Sequence, residues 1–287
     1  MTENTEQQYL NSIFNFKKVV SLTIQDLIPK HHKIATPYLN TILTYLINLA
    51  ELSNEFAQQQ KDNMLPSSFI VSRSIFEECA ILNRLIKENK YGENSYFYKY
   101  LYIQDMHQDI IINSGWNNEA NDYWRRIHNL LHLNFPSELQ EIEIQPFPEN
   151  SDCFKGYTKN EKCELTKIVN NLSKDKKYKE YTKSKNCSVL FEDVYSKTDL
   201  IKFDTNHKVK NDVRIIYGQL CHYSHSSLTA IEDFNITTKD GVSMFCFIPD
   251  ENSKIINNNK VILQWMKYTL EYILEIFSAY CKELQTE

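Results

Sequence analysis

Ser67-Ser68-Phe69-Ile70-Val71-Ser72-Arg73-Ser74-Ile75-Phe76-Glu77-Glu78-Cys79-Ala80-Ile81-Leu82-Asn83-Arg84-Leu85-Ile86 is the stretch that decides the fold. It contains no Gly or Pro, and Pro66 just before it suits a helix start. Phe69, Ile70, Val71, Ile75, Phe76, Ala80, Ile81, Leu82, Leu85 and Ile86 face nearly every direction around a helix axis. A helix apolar almost all round is buried, so this one predicts a core helix running to about Asn89. One stripe is polar. At 100° per residue Glu77 lies about 40° and Arg84 about 20° from Arg73. An Arg in such a helix needs a partner, and Glu77, four residues on, can supply it.

Working outward, the chain repeats the helical pattern. Tyr9, Ile13, Phe16 and Val20 mark a helix over about Glu6 to Ile28, which Pro29 stops. Thr36 as cap and Pro37 at the first position open a second, with Leu39, Ile42, Leu43, Leu46, Leu49 and Phe56 in its stripe. Tyr96 to Asn113 and Asn118 to Leu133 read as a fourth and a fifth helix. Short polar links join these five, the pattern of an antiparallel bundle. The 287 residues are 42% hydrophobic and 24% charged, with five Gly and seven Pro. Those values exclude disordered, collagen-like and many-stranded β chains. No apolar run suits a membrane span, and the polar start Met1 to Gln8 predicts no secretion signal. Seven cysteines without C-x-x-C spacing read as free thiols in a reducing cytoplasm.

The texture changes over about residues 134–187. Pro136, Pro146 and Pro148 precede a stretch, Lys155 to Lys185, with ten Lys against four acids. We read it as a mobile, solvated insertion in a single domain of residues 1–287; the functional alternative is a patch for a phosphate backbone. Asp193 to Asp199 predicts a short helix and His207 to Asp233 a longer one. Asp240-Gly241 between β-type residues over Ile236 to Ile248 predicts a small hairpin. A last helix spans about residues 254–284, and its surplus of aromatics (Trp265, Tyr268, Tyr272, Phe277, Tyr280) suggests a homodimer face. The fold class expected is therefore all-α, a mainly antiparallel helical bundle with one late β-hairpin.

Three groups of residues could carry chemistry. Arg73 and Glu77 form the first. Arg214, Tyr217, Cys221 and His225 share an arc of about 80° on the helix from His207, with His222 beside them. These polar stripes on otherwise apolar helices should meet, as a structural cluster or around a small anionic ligand. His222 and His225 lack a third ligand at matching spacing, so no metal is expected. Arg125, His128, Asn129 and His132 share a face of the fifth helix, with Arg126 adjacent. Arg with His can stabilise a phosphorane and move protons, as metal-free RNA cleavage through the 2′-hydroxyl requires. The alternative there is an exposed polar face with His132 favourable at a helix C-terminus. Walker, G-x-G-x-x-G, G-x-S-x-G and H-E-x-x-H motifs are absent, so no cofactor is expected.

Arg73-Ser-Ile-Phe-Glu77-Glu78, followed by Tyr217-x-x-Leu220-x-x-x-x-His225-Ser226, resembles a bacterial helical family described only as a domain of unknown function. This chain has Cys221 where that family usually has serine, and Ser226 where proline often follows the histidine. The resemblance implies that Arg73, Glu77 and His225 belong together in space. Arg125 and Arg126, with six and five residues before His132, resemble the Arg–His motif of the HEPN superfamily. HEPN proteins are helical bundles, often dimeric ribonucleases of toxin–antitoxin and antiviral systems. That resemblance implies RNA as partner and Arg125, Arg126 and His132 as catalytic residues. The alternative function is a non-enzymatic binding or interaction module built on an Arg–Glu–His cluster.

Overall fold

A computed structural model describes residues 3–27, 36–114, 121–140, 156–178, 217–218, 220–221, 223–224, 235–237, 243–245 and 254–284. The elements are α1 (Glu3–Leu27), α2 (Pro37–Lys61), α3 (Leu65–Lys87), α4 (Tyr96–Ser114), α5 (Asn121–Asn134), α6 (Pro136–Gln140), α7 (Lys159–Lys174), β1 (Asn235–Thr237), β2 (Ser243–Phe245) and α8 (Lys254–Leu284). Short 3₁₀ turns sit at Asn89–Asn94 and Lys176–Tyr178. The fold is all-α in its long elements. The two strands pair antiparallel, with Asn235 opposite Phe245 and Ile236 opposite Met244. Residues 238–242, including Asp240-Gly241, lie outside the described residues, as do those read as a helix at 193–199. Among the described residues no helix is long and apolar enough to cross a membrane.

Two compact units emerge where the sequence reading took one domain: Met1–Lys87 with Asn186–Glu287, and Glu88–Lys185. In the first, α2 packs on α1 and α3, and α8 packs on the same two helices, closing a four-helix ring. Thr36 caps α2 by accepting from the Leu39 N–H at 3.1 Å, ahead of Pro37. The link Asp62–Met64 is short enough to turn the chain straight back. Asn63 there has φ of 58°, a left-handed conformation that Asn tolerates better than most residues. Ile13, Phe16 and Val20 of α1 meet Ile42, Leu46, Leu49 and Phe56 of α2 in the core, with Phe69, Ile75, Phe76 and Leu82 of α3. From α8 come Ile262, Met266, Ile273 and Phe277.

That ring corrects two expectations. Only the first three of the five early helices belong to it, and α8 takes the place given to the fourth and fifth. The aromatics of α8 are also not surplus. Trp265, Phe277 and Tyr280 are buried within the chain, and the Tyr272 hydroxyl donates to Asn83 Oδ1 at 3.0 Å. The motive for a dimer through this helix is gone.

In the second unit α4 packs on α5 and α7, and α5 also meets α6 and α7. Phe97, Tyr98, Ile103 and Met106 of α4 are buried, as are Trp124, Ile127 and Leu131 of α5. The described part of the lysine-rich stretch is a capped helix. Thr158 and Glu161 form a reciprocal capping box at the start of α7, and Leu165, Val169 and Leu172 are buried along one face. Residues 141–155 and 179–187 of the expected insertion lie outside the described residues. Glu88–Lys185 as a whole carries fourteen Lys and Arg against fifteen Asp and Glu, so this unit has no net basic field.

Two neighbours on α2 test the ring. Leu46 is 0% exposed and Ile47 50%. Leu46→Ala should cost about 2–5 kcal/mol in urea unfolding, whereas Ile47→Ala should stay within about 0.5 kcal/mol. Equal losses would mean the α2 face is misassigned.

Candidate functional site

Among the described residues, each unit holds a polar cluster that includes residues singled out in the sequence. In the first, Arg73 Nε donates to Glu77 Oε1 at 2.9 Å, one helical turn away on α3. Arg73 Nη1 donates to Ser224 Oγ at 2.7 Å, and the Tyr217 hydroxyl donates to Glu77 Oε1 at 2.7 Å. The guanidinium carbon also lies 5.8 Å from the Tyr217 ring centre, within cation–π range. Residues 217–218, 220–221 and 223–224 have helical backbone, and Tyr217 and Ser224 both reach α3. Partial burial works against the Arg73 charge; hydrogen bonding and charge from Glu77, then Tyr217, outweigh it and hold the guanidinium above its ordinary value.

The ion pair is not enclosed. The Arg73 and Glu77 side chains are 25% and 29% exposed. Breaking it therefore costs less than the roughly 3–5 kcal/mol of a fully buried pair. Arg214, His222 and His225 lie outside the described residues, so the expected approach of His225 to Arg73 is not part of this description. Ser224 lies between His222 and His225 in the sequence, but nothing in its spacing singles it out.

Glu78 was missed altogether. It lies about 140° round α3 from Arg73, away from the polar stripe. Asn48 of α2 donates to its Oε1, while Oε2 is buried with no hydrogen-bond partner among the described residues. Burial, opposed by Asn48 and aided by the Glu77 charge, pushes this carboxyl up to about 7 from its ordinary 4.5. The folded protein thus holds a proton that the unfolded chain has already lost above pH 4.5. Stability from this group is complete below pH 4.5 and declines as pH rises through 7. Glu78→Gln should raise the melting temperature at pH 8 and have much less effect at pH 5. An equal shift at both values would count against a buried, proton-retaining carboxyl.

The second cluster sits on α5. His128 is buried, with Nδ1 2.8 Å from the Tyr157 hydroxyl. The His132 ring centre is 4.4 Å from that of His128, and His132 Nε2 is buried with no hydrogen-bond partner among the described residues. Burial pushes the Tyr157 phenol up, against the Arg125 charge and with that of Glu161. The Tyr157 hydroxyl and His128 Nδ1 share one hydrogen, and the imidazole tautomer sets which of them donates. Arg125 and His132 share a face two turns apart, about 10 Å along the axis. Arg126 does not join them. It pairs with Asp105 and, at 3.3 Å, with Asp109 of α4, tying two helices together. Burial raises the Asp109 carboxyl despite Arg126. Tyr157 lies 29 residues from His128 in the sequence, so no local spacing in α5 could have announced it.

Among the described residues no group of three or more His, Cys, Asp or Glu could hold a metal ion. No family model matches the chain, and no curated protein or solved structure matches it significantly. The chemistry rests on these side chains alone.

Burial, with the charge of His132, pushes the His128 imidazole down to about 4 from its ordinary 6.5. Its folded value lies below the unfolded one, so the unfolded chain binds the extra proton between pH 6.5 and 4. The contribution is present above pH 6.5 and lost on acidification, up to about 3 kcal/mol. Melting followed from pH 7.5 to 4.5 should fall for the parent and fall less for His128→Gln. Parallel curves would remove His128 as the cause.

Proposed function

We propose that the protein acts on RNA through α5, as a HEPN-like, metal-independent endoribonuclease of a bacterial defence or toxin system. The observation that carries this reading is the buried His132 Nε2. It lacks a hydrogen-bond partner among the described residues, on the same helix face as Arg125 and against the neutral His128. An imidazole nitrogen kept from water and left unused by the fold is costly unless a bound group employs it.

In this reading His132 removes the proton of a ribose 2′-hydroxyl. The 2′ oxygen attacks phosphorus and the 5′ oxygen leaves, taking its proton from water, which yields a 2′,3′-cyclic phosphate and a 5′-hydroxyl. Arg125 steadies the charge that grows on the phosphoryl oxygens. Arg126, assigned to catalysis by resemblance, becomes a positioning residue through Asp105 and Asp109. Free thiols at Cys79, Cys163, Cys221 and Cys281 suit action in a reducing cytoplasm. A homodimer that brings two α5 faces together would place two such groups on one RNA.

The purified chain, incubated with cellular RNA in EDTA, should give fragments with cyclic phosphate ends. Arg125→Ala and His132→Ala, checked for helical content, should each slow cleavage by about 10²-fold or more. Intact RNA, or cleavage unchanged in both variants, would favour the second reading, a non-enzymatic helical binding or interaction module. The specific support for that reading is the first unit's clasp. Tyr217 and Ser224 both close on the Arg73–Glu77 pair, so its polar groups serve each other.

A further inference from the structure

The first unit contains a cavity of about 540 Å³ where α1, the end of α2, the start of α3 and the start of α8 converge. Its size is that of a small-molecule site. Five carboxamides line it: Gln7 and Asn11 from α1, Gln60 from α2, Asn63 from the link, and Asn259 from α8. Leu10, Phe14 and Leu263 supply apolar wall, and one acid and one base, Glu6 and Lys61, leave the lining without net charge.

Two of the carboxamides are part of the core. Gln60 and Asn259 are 6% and 8% exposed and pair head to tail: Gln60 Nε2 donates to Asn259 Oδ1 at 2.6 Å, and Asn259 Nδ2 donates back to Gln60 Oε1 at 2.9 Å. Gln60 Nε2 also donates to Ser68 Oγ at 2.8 Å, which uses both of its hydrogens. Asn259 Nδ2 spends one hydrogen on this pair and has a second. Each amide oxygen likewise has a second lone pair. On the rim Gln7 Nε2 donates to Asn11 Oδ1 at 3.2 Å, which leaves the Asn11 amide hydrogens to face a guest. Burying amides is unfavourable unless they are paired, and Gln60 and Asn259 are only partly used by each other.

We propose that this cavity binds a small uncharged molecule with a carboxamide or lactam edge on an apolar body. Such an edge offers one donor beside one acceptor, the complement of the amides that line the cavity. The apolar body meets Leu10, Phe14 and Leu263, and the balanced lining selects against a net charge. The site is independent of the RNA reading, which rests on the other unit.

Benzamide and caprolactam are the probes, with methyl benzoate as a control that keeps the ring and carbonyl but has no N–H. Calorimetry and ligand-observed NMR on the full chain should show saturable binding of both amides. Methyl benzoate should bind about tenfold more weakly, the penalty of unpaired buried polar groups. Asn11 is exposed on α1, so Asn11→Leu should leave the melting temperature unchanged and weaken benzamide by a similar factor. No saturable amide binding, an ester that binds equally well, or an Asn11→Leu variant with unaltered affinity would each overturn the proposal.

Discussion

Closure of the four-helix ring by α8 is the constraint on which the first unit depends. Helices α1, α2 and α3 follow one another along the chain, but alone they leave the inner faces of α1 and α3 uncovered. The surface that covers them, Ile262, Met266, Ile273 and Phe277, comes from the last thirty or so residues. No short-range signal brings it there. The gain comes from burying large apolar side chains, at roughly 25 cal/mol per Å² removed from water. Loop-closure entropy rises only slowly with loop length, so a long intervening segment is thermodynamically tolerable.

Once the ring is closed, its polar residues settle how the helices register. Apolar faces of Leu and Ile can slide by a turn at small loss, whereas a paired amide or ion pair cannot. Gln60 with Asn259 locks α2 to α8, Tyr272 with Asn83 locks α8 to α3, and the Tyr38 hydroxyl donates to the Leu85 carbonyl between α2 and α3. The Arg73 clasp does the same for Tyr217 and Ser224. Glu78 is the exception. It sits between α2 and α3 with one carboxyl oxygen buried and without a hydrogen-bond partner among the described residues.

The second unit solves its packing locally. Helices α4, α5 and α7 bury aromatic and aliphatic faces on one another, and Arg126 ties α5 to α4. Its titrating core group has the opposite sign from that of the first unit. His128 loses stability in acid, Glu78 toward alkali, so the two units respond to pH in opposite directions. Both effects have one cause, the removal of a titratable group from water.

Periodicity, caps and breakers act within a turn or two of the chain, and these the amino-acid sequence determined by itself. The Thr36-Pro37 start, the span of α8 and the apolar wrap of α3 could all be read from spacing, because each reflects backbone sterics and one face meeting oil or water. The pairing of Arg73 with Glu77 was legible for the same reason, since four residues make one turn. Partner choice was not. An apolar stripe states that something must cover it and not what, so α4 and α5 read as members of the first bundle, whereas α8 covers α1 and α3 and α7 packs on α4 and α5. Tyr157 on His128, Asn48 on Glu78 and Asn259 on Gln60 are likewise encounters across tens to hundreds of residues. Only the tertiary structure decides them, because burial and pairing depend on which surfaces meet, and that is a property of the whole chain at once.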